Sequence, residues 1–254
     1  MLPRPSGIVT LTTDFGVRDP YVGVLEGALL QATSKPRVVH LCHEVPPHDV
    51  AAGAFVLWSA IGRFPSGSVH VGVVDPGVGS ERALLAVAAH DQYWLGPDNG
   101  LLGSVLAGAT AAEVRTLDLD HLRVRRHANT FDGREVLAPV AAMLAAGRYG
   151  FSALGPRAVD CDHRDPLFDG EDRVVHVDRF GNLITNVKAD RIATGTVVGM
   201  AGRQLGLGSS YSDVGVGELL AYVGSFGLLE VAAREARADE LLGVGRGARV
   251  SVAH

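Results

Sequence analysis

Cysteine and lysine are both scarce in this chain, and each scarcity rules something out. Cys42 and Cys161 are the only cysteines in 254 residues. No disulfide framework can therefore hold the fold, and the pair reads as reduced thiols of a cytoplasmic protein, with a single bridge between them left open. Lys35 and Lys188 are the only lysines among 23 basic side chains, a bias that reads as genomic composition. No basic stripe exists and the net charge is −5, so a nucleic-acid partner, which needs clustered Lys and Arg, is not expected. Every apolar run is broken by Gly, Pro or charge before it could cross a bilayer, so no membrane partner is expected either. Residues 1–7 carry no hydrophobic leader region. A metal is not expected. His40, Cys42, His43 and His48 fit no zinc spacing, and Pro46 and Pro47 intervene. Strand alternation would also send His43 to the face opposite His40 and Cys42.

What the chain does have is an apolar content of 47% against 20% charged residues, enough for a substantial core without a metal or disulfide staple. Its first two thirds alternate strand-like and helix-like stretches. Strands are expected at 8–11, 38–41, 69–74, 83–88 and 93–95. Helices are expected at 21–32, from an Asp49 N-cap to about Ile61, and at 136–146 with Pro139 in its first turns. The run Val69–Val74 suits a sheet covered on both faces. This predicts an α/β N-terminal domain over 8–165 with a largely parallel sheet. From Gly150 to Asp172 the pattern dissolves into Gly, Pro, Asp and His, as a linker would. Short strand-like runs follow at 174–177, 183–187, 195–200, 218–223, 228–232 and 248–252, with a turn near 236–242. They predict a smaller β-rich, barrel-like C-terminal domain over 172–254. No internal repeat, low-complexity segment or Rossmann fingerprint occurs; Gly77-Val78-Gly79 and 243–247 lack the spacing.

Five segments stand out: Leu11-Thr-Thr-Asp-Phe-Gly16, Asp75-Pro-Gly-Val-Gly-Ser-Glu-Arg82, Gly96-Pro-Asp-Asn-Gly-Leu-Leu102, Thr130-Phe-Asp-Gly-Arg-Glu135 and Asp178-Arg-Phe-Gly-Asn182. Together they resemble the S-adenosyl-L-methionine hydroxide adenosyltransferases, the adenosine-forming S-adenosylmethionine hydrolases, whose halogenating relatives are fluorinase and chlorinase. The resemblance runs from about Ile8 to Val252. It implies hydrolysis of S-adenosylmethionine to adenosine and methionine, with that molecule as substrate and no cofactor. It also implies a homotrimer with intersubunit active sites.

The residues fit that chemistry. The leaving group departs as a neutral thioether and needs no acid, so the task is to position and desolvate a water in line with the C–S bond. A carboxylate can orient the water and share its proton, while a guanidinium stabilises developing hydroxide. Asp75 leaves the end of a strand, where open α/β sheets bind ligands, and the Pro76–Gly79 turn returns Arg82 near it. Taken alone, the pair is also an ordinary turn with a salt bridge; the resemblance implies that they handle the water. Asp132 stands where the hydrolases carry a histidine, with matching residues on both sides. Two carboxylates at one water could yield a base or could repel the nucleophile. His127 is set aside as a substitute because 125–129 reads as an exposed loop.

The resemblance further implies that Asp14 binds the ribose hydroxyls, although a helix N-terminal charge explains Asp14 equally well. Asn182 would read the adenine edge and Asp178 would pair with the substrate ammonium. Alone, that segment is a hairpin turn. His48, Phe131, Ser225, Phe226 and Glu230 match further substrate contacts, and Tyr211 falls where halogenating relatives place an aromatic, or is a plain core tyrosine. Halide transfer is disfavoured by the retained Asp75 and Arg82. A weak binder of adenosine or S-adenosylmethionine, with Asp132 as its lesion, is the remaining alternative. The Asp98-Asn99-Gly100 segment is expected to be a turn without chemistry.

Overall fold

The computed structural model describes residues 2–33, 36–193 and 195–253. The chain forms two compact units, Met1–Pro166 and Leu167–His254. In the first, β1 (Ile8–Thr13), α1 (Tyr21–Ala32), β2 (Arg37–Cys42), α2 (Val50–Ser59) and β3 (Val69–Val73) lead into β4 (Leu84–Ala89) and β5 (Gln92–Pro97). Then come α3 (Gly103–Ala107), β6 (Glu113–Thr116), a π-helical turn at Gly133–Leu137 and α4 (Ala138–Ala145). The sheet order is β2-β1-β3-β5-β4-β6. β2, β1, β3 and β5 are parallel; β4 runs antiparallel to both of its neighbours, so the edge strand β6 points the same way as β5.

Both faces of the sheet are covered. Leu84, Ala86 and Ala88 of β4 join the core under α1 and α4, while Leu85, Val87 and Ala89 join the core under α2 and α3. The period-two alternation is therefore apolar on both sides, which is why these strands read as continuous hydrophobic runs. Asp49 caps α2 by accepting from the Ala52 N–H at 3.0 Å, as its sequence position predicted. Pro139 lacks the N–H that would bond to Glu135, and the turn before it widens, with the Ala138 N–H donating to the Gly133 carbonyl.

Most of the expected linker is not a linker. Phe151 and Leu154 are buried in a short 3-10 turn, and buried Asp165 accepts from the Ser104 hydroxyl at 2.5 Å. These apolar anchors were too widely spaced to register as an element.

In the second unit, β7 (Val174–Val177), β8 (Leu183–Lys188), β9 (Val197–Met200), β10 (Arg203–Leu205), β11 (Leu219–Val223), β12 (Leu228–Ala233) and β13 (Val250–Ala253) form two antiparallel sheets, and α5 (Ala238–Leu242) lies between β12 and β13 in the chain. The sheets join at both ends. The Val174 N–H donates to the Ala248 carbonyl at 2.8 Å and the Val250 N–H to the Asp172 carbonyl at 3.1 Å. At the other end the Gly208 N–H donates to the Ala221 carbonyl at 2.8 Å. The result is a closed barrel around Leu183, Val187, Val198, Leu229 and Val231. Among the described residues, no helix is long and apolar enough to cross a membrane.

Candidate active site

Chain direction chooses the site in the first unit. β1 leads through α1 to β2 on one side, and the chain then returns to β3 on the other. The crevice beyond the carboxyl ends of β1 and β3 is thus a topological switch point, where open α/β sheets bind ligands. Asp14 follows β1 and Asp75 follows β3 by two residues.

Asp75, Arg82 and Asp132 are joined there by direct contacts. Arg82 Nε donates to Asp75 Oδ1 at 2.7 Å, and Arg82 Nη2 contacts Asp75 Oδ2. The same Nη2 donates to Asp132 Oδ2 at 2.8 Å. Arg126 Nε donates to Asp132 Oδ1 at 2.7 Å. Asp132 is 3% exposed and the Arg82 side chain 9%. Two buried carboxylates are therefore balanced by two guanidinium groups in alternation, so neither faces the other unscreened. Burial works against the Arg82 charge, but its hydrogen bonds to Asp75 and Asp132 outweigh it and hold the group more firmly protonated than an ordinary arginine. Arg82 Nη1 is buried and has no hydrogen-bond partner among the described residues.

The turn carrying Asp75 is held from below. Asn99 Nδ2 donates to the Val74 carbonyl at 3.0 Å, and Asn99 Oδ1 accepts from the Leu101 N–H at 3.1 Å. The Asp98-Asn99-Gly100 segment is thus a turn, as expected, and also a support for the residue before Asp75.

Asp14 Oδ2 accepts from the His48 N–H at 2.8 Å, with His48 in the left-handed region at φ 66°. Phe131 packs edge-on against Phe15 at 5.4 Å and Tyr21 at 5.7 Å. One aromatic trio thus ties the loop after Asp14 to the turn that begins at Asp132. The Arg134 guanidinium covers the Phe131 ring at 4.9 Å.

The second unit gathers the other expected residues into one network. Asp178 accepts from the Phe180 and Asn182 N–H groups, each at 2.9 Å, and from Asn182 Nδ2 at 2.8 Å. Asn182 Nδ2 also donates to the Tyr211 hydroxyl at 2.9 Å, which lies 3.0 Å from that of Tyr222. Tyr222 donates to Glu230 Oε2 at 2.7 Å. Burial pushes the Glu230 carboxyl above the usual carboxylate range, and burial with the Tyr211 and Glu230 contacts pushes the Tyr222 phenol up as well. Ser225 and Phe226 occupy the turn between β11 and β12, beside the Gly224 backbone on which Glu230 packs. Gly181 has φ 82°, and a Cβ there would collide with Arg237 and Asp239; the Asp178–Asn182 turn needs glycine. A cavity of about 490 Å³ opens beside this network, lined by Arg179, Phe180, Asn182, Tyr211 and Arg237.

Two expectations change. His40 and His43 do not face apart: His40 Nδ1 and His43 Nε2 lie 2.7 Å apart, and His43 Nδ1 is 2.8 Å from the Thr13 hydroxyl. The cause is a register shift opposite Leu11 and Thr12, which skips Leu41 and breaks the alternation. The 125–129 loop is exposed at His127, 82% accessible, but Arg126 turns inward onto Asp132. Among the described residues no group of three His, Cys, Asp or Glu could hold a metal, and Cys42 and Cys161 are free thiols. Sequence reasoning missed Arg126, Asn99 and Tyr222. The repeated arginines at 123, 125 and 126 were the available signal for the first; nothing local distinguished the other two.

The chain matches the family models for the N-terminal domain of SAM hydroxide adenosyltransferases over residues 9–155 and for their C-terminal domain over 172–251. It is 39% identical to an (R)-S-adenosyl-L-methionine hydrolase of Thermus thermophilus, over 94% of this chain and 96% of that protein. A fluorinase of Nocardia brasiliensis is more distant, at 26% identity over 89% of each chain. The crystal structure of an uncharacterized conserved protein from Thermotoga maritima superposes with a TM-score of 0.88 at 29% identity, over 97% of this chain and 100% of that one.

Proposed function

The chain belongs to the SAM hydroxide adenosyltransferase family, and we propose that it hydrolyses S-adenosyl-L-methionine to adenosine and L-methionine. The observation that carries this reading is the buried Arg82, clamped between Asp75 and Asp132 with Nη1 unpartnered among the described residues. Arg82 Nη1 and the Asp75 carboxylate are the donor and acceptor for one water. A lone pair of that water attacks the ribose 5′ carbon as the C–S bond breaks. The bonding pair leaves on sulfur as the neutral thioether of methionine, and the water's proton passes to Asp75 and on to solvent. Positioning and a dry, preorganised field supply the acceleration.

In the first unit, Asp14 accepts from the ribose hydroxyls, while His48 and Phe131 shape the pocket. The second unit carries its own set of substrate contacts: Asn182 and Tyr211 for the adenine, Asp178 for the ammonium, and Ser225, Phe226 and Glu230. The 490 Å³ cavity beside Asn182 and Tyr211 supports an aromatic ligand there. Halide transfer is less well supported, because an incoming anion would meet both Asp75 and Asp132 at the one guanidinium they share.

No cofactor takes part, since the leaving group is neutral; turnover is expected to survive dialysis against EDTA unchanged. We also propose a cytoplasmic homotrimer without a nucleic-acid partner. Leu30 (52% exposed) and Val24 (39% exposed) are exposed apolar side chains of α1 that a neighbouring copy would cover, and light scattering tests it. The two free thiols suit a reducing compartment.

The test is incubation of the protein with S-adenosylmethionine in chloride-free and chloride-containing buffer, with nucleosides separated by chromatography. Adenosine in both buffers supports the hydrolase. A chloride-dependent halogenated nucleoside, or tight binding without product, would replace it with one of the alternatives.

A further inference from the structure

We propose that Arg126 is a positioning residue, fixing the Asp132 carboxylate beside Arg82 and so setting the geometry of the water site; this rests on the hydrolase reading above. Asp132 begins the π-helical turn at φ −56° and ψ −29°, and its side chain makes no capping bond to that turn. Nothing on its own element therefore fixes the carboxylate. Its two oxygens are divided between guanidinium groups, Oδ2 to Arg82 and Oδ1 to Arg126. Arg82 also serves Asp75, so it alone would face two buried carboxylates with one charge. Arg126 restores the balance, and it does so from outside: its side chain is 35% exposed where that of Asp132 is 3% exposed.

The loop that delivers Arg126 is tied down on both sides of the site. The His127 N–H donates to Glu135 Oε2 at 3.0 Å, which anchors the loop to the turn that Asp132 begins. Further along, a Cβ placed on Gly79 would sit 3.2 Å from the Asn129 carbonyl. The loop therefore runs close to the Asp75–Arg82 turn, and glycine at 79 allows that approach. With Arg126 removed, Asp132 competes with Asp75 for Arg82, and the guanidinium loses its fixed orientation toward the water. A displacement of about 1 Å at a reacting group lowers rates on the order of a hundredfold.

The experiment is a mutant cycle of parent, Arg126→Gln, Asp132→His and the double variant, with Arg126→Lys as the conservative replacement. Arg126→Gln is expected to lower kcat roughly 10- to 100-fold with KM within about threefold, and Arg126→Lys to recover part of the loss. A neutral imidazole at 132 needs no counter-ion, so Arg126→Gln is expected to change kcat less than about twofold in the Asp132→His background. Equal losses in both backgrounds, or a parent-like Arg126→Gln, would overturn the proposal. Crystal structures of the parent and Arg126→Gln supply a readout that needs no turnover. A shift of Arg82 from Asp75 toward Asp132 in the variant supports the positioning role, and unchanged contacts of Arg82 with Asp75 at 2.7 Å and with Asp132 at 2.8 Å overturn it. A parent without hydrolysis would sink the hydrolase reading while leaving this structural comparison decisive for Arg126.

Discussion

Replacing Arg82 by lysine keeps the positive charge and removes the fork. In the parent, Nε and Nη2 make three contacts to two carboxylates, and Nη1 is left over for the water. An ammonium is a point charge with three donors and cannot span Asp75 and Asp132 in the planar geometry a guanidinium imposes. At least one charge-assisted bond is lost, worth about 1.5–3 kcal/mol in a site this buried. The donor to developing hydroxide is displaced as well, and loss of one preorganised donor lowers kcat by roughly a hundred- to a thousandfold. Arg82 does not itself hold the adenosine half of the substrate in this account, so adenosine affinity by calorimetry should stay within about threefold. The assay is initial-rate adenosine formation at saturating S-adenosylmethionine, with urea unfolding as the stability readout. An Arg82→Lys variant that retains kcat within about threefold would refute the reasoning, because the fork geometry would then do nothing for the water.

Asp75→Ala removes the water's acceptor and is expected to lower kcat about a hundred- to ten-thousandfold while adenosine binding persists; turnover at the parent rate would remove Asp75 from the mechanism. Asn182→Ala breaks the link between Asp178 and Tyr211 and should raise KM more than it lowers kcat, with an unchanged KM counting against the adenine assignment. His70 gives a pH prediction. Buried on Trp94 at 4.0 Å and bonded to the Thr10 hydroxyl at 2.8 Å, it is pushed by burial from 6.5 down to about 3. The unfolded chain therefore binds a proton that the folded chain refuses. Stability is full above about pH 6.5 and falls as the pH drops toward 3, by about 1.4 kcal/mol per pH unit from this group. Urea unfolding of parent and His70→Gln between pH 7 and pH 4 should show the shallower slope in the variant, and equal slopes would contradict the assignment.

The central strands of the first unit were legible because they are buried on both faces: Leu84–Ala89 is an unbroken apolar run, and Val69–Val73 is interrupted only by buried His70 and Gly72. Glu113–Thr116 escaped notice because it is an edge strand, half-buried and polar, and Arg203–Leu205 because three residues carry no period. Closure of the barrel rests on backbone bonds between segments far apart in sequence, such as Val174 to Ala248, which no local pattern records. At the site, Asp75, Arg82 and Asp132 were legible as neighbours of a strand end and of a familiar segment. The balance of their charges was not. It depends on Arg126, a loop residue whose inward turn is decided by Asp132 itself, and loop backbone direction has no periodicity to read. The His40–His43 contact was hidden for a related reason: a single-residue register shift reverses which side chains share a face.

The most direct test of the hydrolase account is a single-turnover reaction in oxygen-18 water, with the adenosine product weighed by mass spectrometry and the Asp75→Ala variant run beside it. The account predicts one oxygen-18 atom at the 5′ position of adenosine from the parent and almost no adenosine from the variant. Adenosine without the label, or label incorporated at the same rate by Asp75→Ala, would contradict it.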